Sequence, residues 1–281
     1  MGHAKHIFRY RIITNLNCNM NESTGPNGNC YFCYQPLKEP LQLDMAKAHE
    51  TMDKIGILKR ATIMGGESTI RKDLPEIIKD VRAHVSEDVC LVTNGILLNE
   101  DRIRTYAKAG LTEVAISISS LEQYYRRRDA ALLCKKYIPN TRLNIPKCKE
   151  STGDKLAEIL KAVLKDDFYV VVCEDLMGRY GDFDFQKKLG TCKVKDDGHN
   201  FYDYVWEDEN GKSHQFGVFG NYTGYDMTDI IITPLGNFCK WEAYCEKVGN
   251  TALNKTFSSA DFEELDIEAL RGFIDSKPIR S

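Results

Sequence analysis

The stretch RATIMGGESTIRKDLPEIIKDVRAHVSEDVCLVTNG, residues 60–95, decides the fold. Residues 60–64 form a short apolar run that ends at Gly65-Gly66. Leu74, Ile77, Ile78 and Val81 then recur at helical spacing within 74–85. A second apolar run, 89–93, ends in Asn94-Gly95. A strand, a helix and a strand in that order read as a parallel crossover unit. The same alternation extends both ways. Strands are predicted over 6–16, 113–119, 141–145 and 168–173. Helices are predicted over 44–58 with Asp44 as N-cap, over 100–109 stopping at Gly110, and over 123–136 and 154–165. Six such units suit an incomplete barrel better than a closed eight-stranded one.

The expected fold is α/β, a partial (β/α)6 TIM-like barrel over 6–175. Residues 176–281 form a short strand-plus-helix extension that closes the barrel and shapes the substrate site. Within it, strands are expected over 201–206, 215–219 and 229–233, and a terminal helix over 261–273.

The chain has 281 residues, 42% hydrophobic and 28% charged, enough for a sizeable core. A formal charge of -3 supplies no general basic field for a nucleic-acid backbone. No apolar run approaches the roughly 20 residues of a membrane span, and the first residues lack a signal-peptide core. Ten cysteines in such a chain fit reduced thiols in a cytoplasmic protein, some of them bound to metal.

In parallel α/β sheets the chemistry sits at the carboxyl ends of the strands. After the first strand come Cys18, Cys30 and Cys33, spaced C-x11-C-x2-C around a loop containing Gly25-Pro26-Asn27-Gly28. Thiolates select iron–sulfur clusters or zinc. A structural zinc site wants four closed ligands, and His49 is a possible fourth on a helix without motif spacing. Gly65-Gly66-Glu67 follows the second strand: the glycines admit a close ligand, and the carboxylate suits an ammonium group. Thr93-Asn94-Gly95 follows the third. Ser117 and Ser119 share one face of the fourth, positioned for a ribose or as polar filler.

Together these features resemble the radical S-adenosylmethionine (SAM) superfamily. Its usual cluster motif is C-x3-C-x2-C, with an aromatic residue before the last cysteine; Phe32 fills that place. Its Gly-Gly-Glu-Pro motif has the counterpart Gly65-Gly66-Glu67-Ser68, and the Thr93-Asn94-Gly95 turn occurs in many members. The wide spacing between Cys18 and Cys30 departs from the pattern without changing the ligand count, since a longer loop closes at little extra entropy.

The resemblance implies a [4Fe–4S] cluster on Cys18, Cys30 and Cys33, with S-adenosyl-L-methionine on the fourth iron. Gly65, Gly66 and Glu67 would bind its amino end. Ser117 or Ser119 would face the ribose, and Phe32 and Leu176 would approach the adenine. It also implies reductive SAM cleavage, hydrogen abstraction by a 5′-deoxyadenosyl radical, and an electron donor such as flavodoxin or ferredoxin.

Peptide-modifying relatives carry extra clusters in a cysteine-rich tail. Here Cys173, Cys192, Cys239 and Cys245 show no compact pair, and buried thiols are the expectation for them, as for Cys90, Cys134 and Cys148. Asp175, Arg179, Tyr180, Asp182 and Asp184 gather past the sixth strand, as substrate contacts or as a solvated loop. Arg126-Arg127-Arg128 reads as a solvated helix face. The substrate expected here is a ribosomally made peptide, with a leader-binding partner protein in trans. The alternatives are a small-molecule enzyme of antibiotic, nucleoside or cofactor biosynthesis, and a zinc-stabilised α/β binding protein.

Overall fold

The computed structural model describes residues 6–21, 30, 32–33, 35, 38–173, 184–190, 192–196, 201–219 and 227–238. Six strands, β1 (His6–Ile13), β2 (Arg60–Met64), β3 (Val89–Thr93), β4 (Glu113–Ser117), β5 (Asn140–Pro146) and β6 (Tyr169–Cys173), pair in parallel in chain order. Five helices alternate with them: α1 (Met45–Ile55), α2 (Leu74–Ala83), α3 (Glu100–Lys108), α4 (Leu121–Tyr137) and α5 (Gly153–Lys165).

The caps follow from the sequence. Asp44 accepts from the Ala46 amide at 3.0 Å, Asn99 from Arg102 at 3.0 Å and Ser120 from Gln123 at 3.1 Å. Gly110 ends the α3 segment at φ +103°, where a Cβ would lie 2.8 Å from the Arg82 side chain.

Strand alternation sorts the side chains onto two faces. Tyr10, Ile12, Ile63, Leu91, Val114, Ile116, Leu143, Ile145, Val170 and Val172 belong to the main core, which they share with Met52, Ile77, Val81, Ile103, Leu156 and Leu160 of the helices. The opposite face carries Arg9, Arg11, Thr62, Glu113, Ser117, Arg142 and Asn144. Among the described residues, the side of the sheet away from α1–α5 therefore carries this polar set beside Ile13, Met64 and Val92. Arg142 and Arg60 both pair with Glu113 there.

Beyond β6 lie α6 (Phe185–Leu189), β7 (Cys192–Asp196), β8 (Phe201–Glu207), β9 (Ser213–Phe219), β10 (Met227–Thr233) and β11 (Gly236–Phe238). These strands add to both edges of the barrel sheet, in the order β11-β10-β1-β2-β3-β4-β5-β6-β9-β8-β7. β9 runs parallel to β6 and β10 parallel to β1. The tail thus meets the barrel by edge addition at both sides. The terminal helix expected over 261–273 lies outside the described residues. Among those described, no helix is long and apolar enough to cross a membrane.

Candidate active site at the carboxyl ends of the strands

The chain leaving β1 is held by an unusually dense set of contacts. The Thr14 hydroxyl donates to Asn15 Oδ1 (2.9 Å) and lies 2.8 Å from Ser68 Oγ, from which it can accept. Asn15 Nδ2 donates to the carbonyls of Asn17 (3.0 Å) and Glu67 (3.2 Å). The amides of Gly66 and Glu67 donate back to the carbonyls of Asn15 and Asn17, each at 2.8 Å. Buried Arg71 donates to the carbonyls of Thr14 (2.8 Å) and Leu43 (3.0 Å). Asn94 Nδ2 reaches Asn19 Oδ1 at 2.9 Å. The turns after β2 and β3 therefore grip the first part of the cysteine loop.

This explains the two glycines differently from the sequence expectation. A Cβ on Gly66 would stand 2.0 Å from the Asn17 carbonyl oxygen, and one on Gly65 2.6 Å from Asn15 Oδ1. The chain's own Asn15 and Asn17 make a close approach here, so these positions are small to admit the loop.

Glu67 is likewise engaged internally. It is buried, and its Oε1 accepts from the Thr69 amide (3.0 Å) and the hydroxyls of Thr69 and Thr93 (2.7 Å each). Among the described residues, Oε2 accepts from the Asn94 amide alone, at 2.7 Å. The carboxylate ties the second turn to the third. Glu67→Ala leaves buried donors without acceptors, each costing about 1–3 kcal/mol. Glu67→Gln turns an amide N–H toward one of those donors. Both variants should unfold at clearly lower denaturant; midpoints equal to that of the unaltered chain would rule out the clamp.

The cysteine loop brings its thiols into electrostatic reach of one another. Cys18, Cys30 and Cys33 are free and half-buried. Burial, with the Cys33 and Cys18 charges added, pushes the Cys30 thiol up to about 12. Burial raises Cys18 as well, against the opposing Met20 amide, which donates to its Sγ at 3.4 Å. Lys38 Nζ lies 3.2 Å from Cys33 Sγ, and the Cys33 amide donates to the Cys30 carbonyl at 3.2 Å. Gln35, buried, donates to the Leu16 carbonyl at 2.8 Å and so holds the end of the loop to its start.

Other expected site residues divide. Ser117 ends β4 half-exposed, on the face away from α1–α5. Ser119 lies past the strand end, fully buried, with its hydroxyl oxygen 2.9 Å from a Glu150 carboxylate oxygen and 3.1 Å from Gln123 Oε1, one of which takes its proton. Strand alternation does not extend to it, and a ribose would find that hydroxyl already engaged. Phe32 is half-buried in the cysteine loop; Leu176 lies outside the described residues. His49 is an exposed residue of α1, bonded to Asp80.

Arg127 also departs from expectation. The helical repeat turns it inward with Tyr124, Ala131 and Cys134, and its Nε donates to the Asn94 carbonyl at 3.0 Å. It braces the turn after β3, while Arg126 and Arg128 pair with Glu122 and Asp166. Asp184 is the N-cap of α6. Asp175, Arg179, Tyr180 and Asp182 lie outside the described residues. So do Cys239 and Cys245. Cys173 and Cys192 are three strands apart and at opposite ends of their register, on the order of 20 Å at ordinary strand spacings. Cys90, Cys134 and Cys148 are buried, as expected.

The model of the radical SAM superfamily matches residues 20–165, just over half of the chain. The chain belongs to the radical SAM superfamily. It is an enzyme of that superfamily, and its cofactors are a [4Fe–4S] cluster and S-adenosyl-L-methionine. Cys30 and Cys33 fall inside the matched span, and Cys18 stands just before it.

Among curated relatives, a probable GTP 3′,8-cyclase of Thermococcus kodakarensis is 31% identical over 123 residues, covering 42% of this chain and 39% of that protein. The probable GTP 3′,8-cyclase of Methanopyrus kandleri is 31% identical over 130 residues, covering 44% and 38%. The match thus spans about two-fifths of the length of these relatives. Among solved structures, Streptococcus suis SuiB bound to S-adenosylmethionine has a TM-score of 0.56 at 11% identity, covering 95% of this chain and 68% of that one. That likeness shows a shared fold.

Proposed function

We propose that this radical SAM enzyme acts on a small polar molecule of the nucleotide or cofactor class. The similarity to probable GTP 3′,8-cyclases carries this reading. The sheet face turned away from α1–α5 supports it, since Thr62, Ser117, Asn144 and the ion pairs of Arg9 and Arg11 with Asp229 and of Arg60 and Arg142 with Glu113 give it a polar lining rather than an apolar groove.

In this reading Cys18, Cys30 and Cys33 hold the cluster. The donor set suits it: three free thiols on one loop, repelling one another when ionised, so that a cation is required to keep them together as thiolates. When bound, the cluster and SAM supply one-electron cleavage of the sulfonium and a hydrogen-abstracting adenosyl radical. The chain's residues position and shield. The clamp of Asn15, Arg71 and Glu67 fixes the loop. Glu67 Oε2 would accept from the SAM ammonium through its second lone pair, beside the backbone of Gly65 and Gly66. Ser117, rather than Ser119, faces the ribose. Phe32 and Leu176 remain the proposed adenine contacts. A cellular reductant such as a flavodoxin or ferredoxin supplies the electron, and the tail strands wall the substrate mouth.

The test is anaerobic incubation of reconstituted enzyme with SAM, a chemical reductant and either purine nucleoside triphosphates or candidate precursor peptides. A ribosomally made peptide with a leader-binding partner is the competing substrate. The expected result is 5′-deoxyadenosine formed in step with a mass change in a nucleotide. Turnover coupled to a peptide, with none on nucleotides, overturns the reading in favour of maturation chemistry.

A further inference from the structure

We infer that His49, Asp53 and His84 form a divalent-cation site, matched to zinc, on the outer face of the barrel between α1 and α2. His49 and Asp53 stand one turn apart on α1 and so share a face. His84 is the C-cap residue of α2. One ligand atom from each residue lies within 4.8 Å of the other two. His49 Nε2 is 3.3 Å from one Asp53 oxygen, and His84 Nε2 is 2.9 Å from the other. Tetrahedral zinc with bonds of about 2.0–2.1 Å keeps its ligands roughly 3.3 Å apart.

The outer hydrogen bonds are already in place. A single residue, Asp80, orients both rings. Its carboxylate is 2.6 Å from His49 Nδ1, and its backbone carbonyl is 2.9 Å from His84 Nδ1. A carbonyl oxygen can only accept, so His84 Nδ1 carries the hydrogen. The neutral ring then presents its Nε2 lone pair to an Asp53 oxygen, which is also an acceptor. His49 has the same difficulty, with a carboxylate at each nitrogen. Two imidazoles held between two carboxylates require positive charge between them. One divalent cation provides it at a single point. Imidazoles whose Nδ1 atoms are held by a carboxylate and a carbonyl are the usual outer shell of zinc-ligating histidines. With three protein ligands, the fourth position is open to water.

The ligands His49, Asp53 and His84 include none of the loop cysteines, so zinc and iron are counted separately. Anaerobic holoprotein is dialysed against graded zinc chloride, and zinc and iron are measured in the same sample. The expected result is one zinc per chain with unchanged iron. In His49→Ala, whose side chain is half-exposed, zinc affinity should fall at least tenfold. In Asp80→Ala, which removes the carboxylate from His49, it should fall about 10–100-fold. Circular dichroism checks that both variants are folded. No zinc bound by the unaltered holoprotein, or equal zinc in His49→Ala, would overturn the site and leave a plain ion-pair network.

Discussion

Replacing any one of Cys18, Cys30 or Cys33 with alanine should remove the iron and abolish SAM cleavage. Each change takes away one thiolate of three, and the remaining two cannot hold a cubane cluster with an open fourth iron. The fold should survive, because all three side chains are half-exposed and the clamp around Asn15, Arg71 and Glu67 does not use their sulfurs. Iron content and 5′-deoxyadenosine formation are the measurements, with far-ultraviolet circular dichroism as the folding check. The unaltered protein should carry about four irons, and a Cys239→Ala, Cys245→Ala double variant should keep them. A full SAM-cleaving cluster in Cys18→Ala would show that another cysteine is the first ligand. About eight irons, falling to about four in the double variant, would add a second cluster in the tail.

The barrel was legible because its signal is local. Strands buried under helices read as short apolar runs, and the helices show apolar residues three and four apart; both patterns lie within single segments. Residues 60–64 and 89–93 match β2 and β3 to the residue. The tail was less legible for the same reason. β7, with sequence CKVKD, is an edge strand whose partner is set by long-range pairing, and β11 has only three residues. Nothing in a strand's own sequence says which edge of a sheet it will join.

The site divides along similar lines. Residue types and order at the strand ends are legible in the sequence, but the task of each residue depends on what packs against it. Glu67 reads as a ligand-facing carboxylate, yet most of its acceptor capacity is used inside the chain. Arg127 reads as part of a charged surface run, yet helical phase turns it under the turn after β3. Asn15 and Arg71 gave no signal at all. A single asparagine or arginine has no motif, and their importance appears only where buried backbone carbonyls and amides need partners.

Removing the Asp229 carboxylate should be among the most destabilising single changes in the tail. Asp229 on β10 receives the Nε and Nη2 donors of Arg9, both at 3.0 Å, and the Nε of Arg11 at 2.9 Å. Both arginines project from β1, so one carboxylate links the tail to the first barrel strand at the parallel β1–β10 pairing. Burial alone would raise the Asp229 pKa, but the Arg11 and Arg9 charges outweigh it and hold it at about 2. Arg11 is itself buried, with its Nη1 on Met64 Sδ at 3.6 Å. Asp229→Ala would take this carboxylate from both guanidiniums, and breaking a buried pair from one side costs about 3–5 kcal/mol. The sign with pH follows from the depressed value. Stability from Asp229 is fully present above the unfolded pKa of about 3.9 and is lost as pH falls from there through about 2. Urea unfolding at pH 7 and at pH 3 measures both effects. The gap between the unaltered chain and Asp229→Ala should be wide at pH 7 and narrower at pH 3. A gap below about 1 kcal/mol at pH 7 would place this pair among weak surface bridges and leave the β1–β10 edge to its backbone hydrogen bonds.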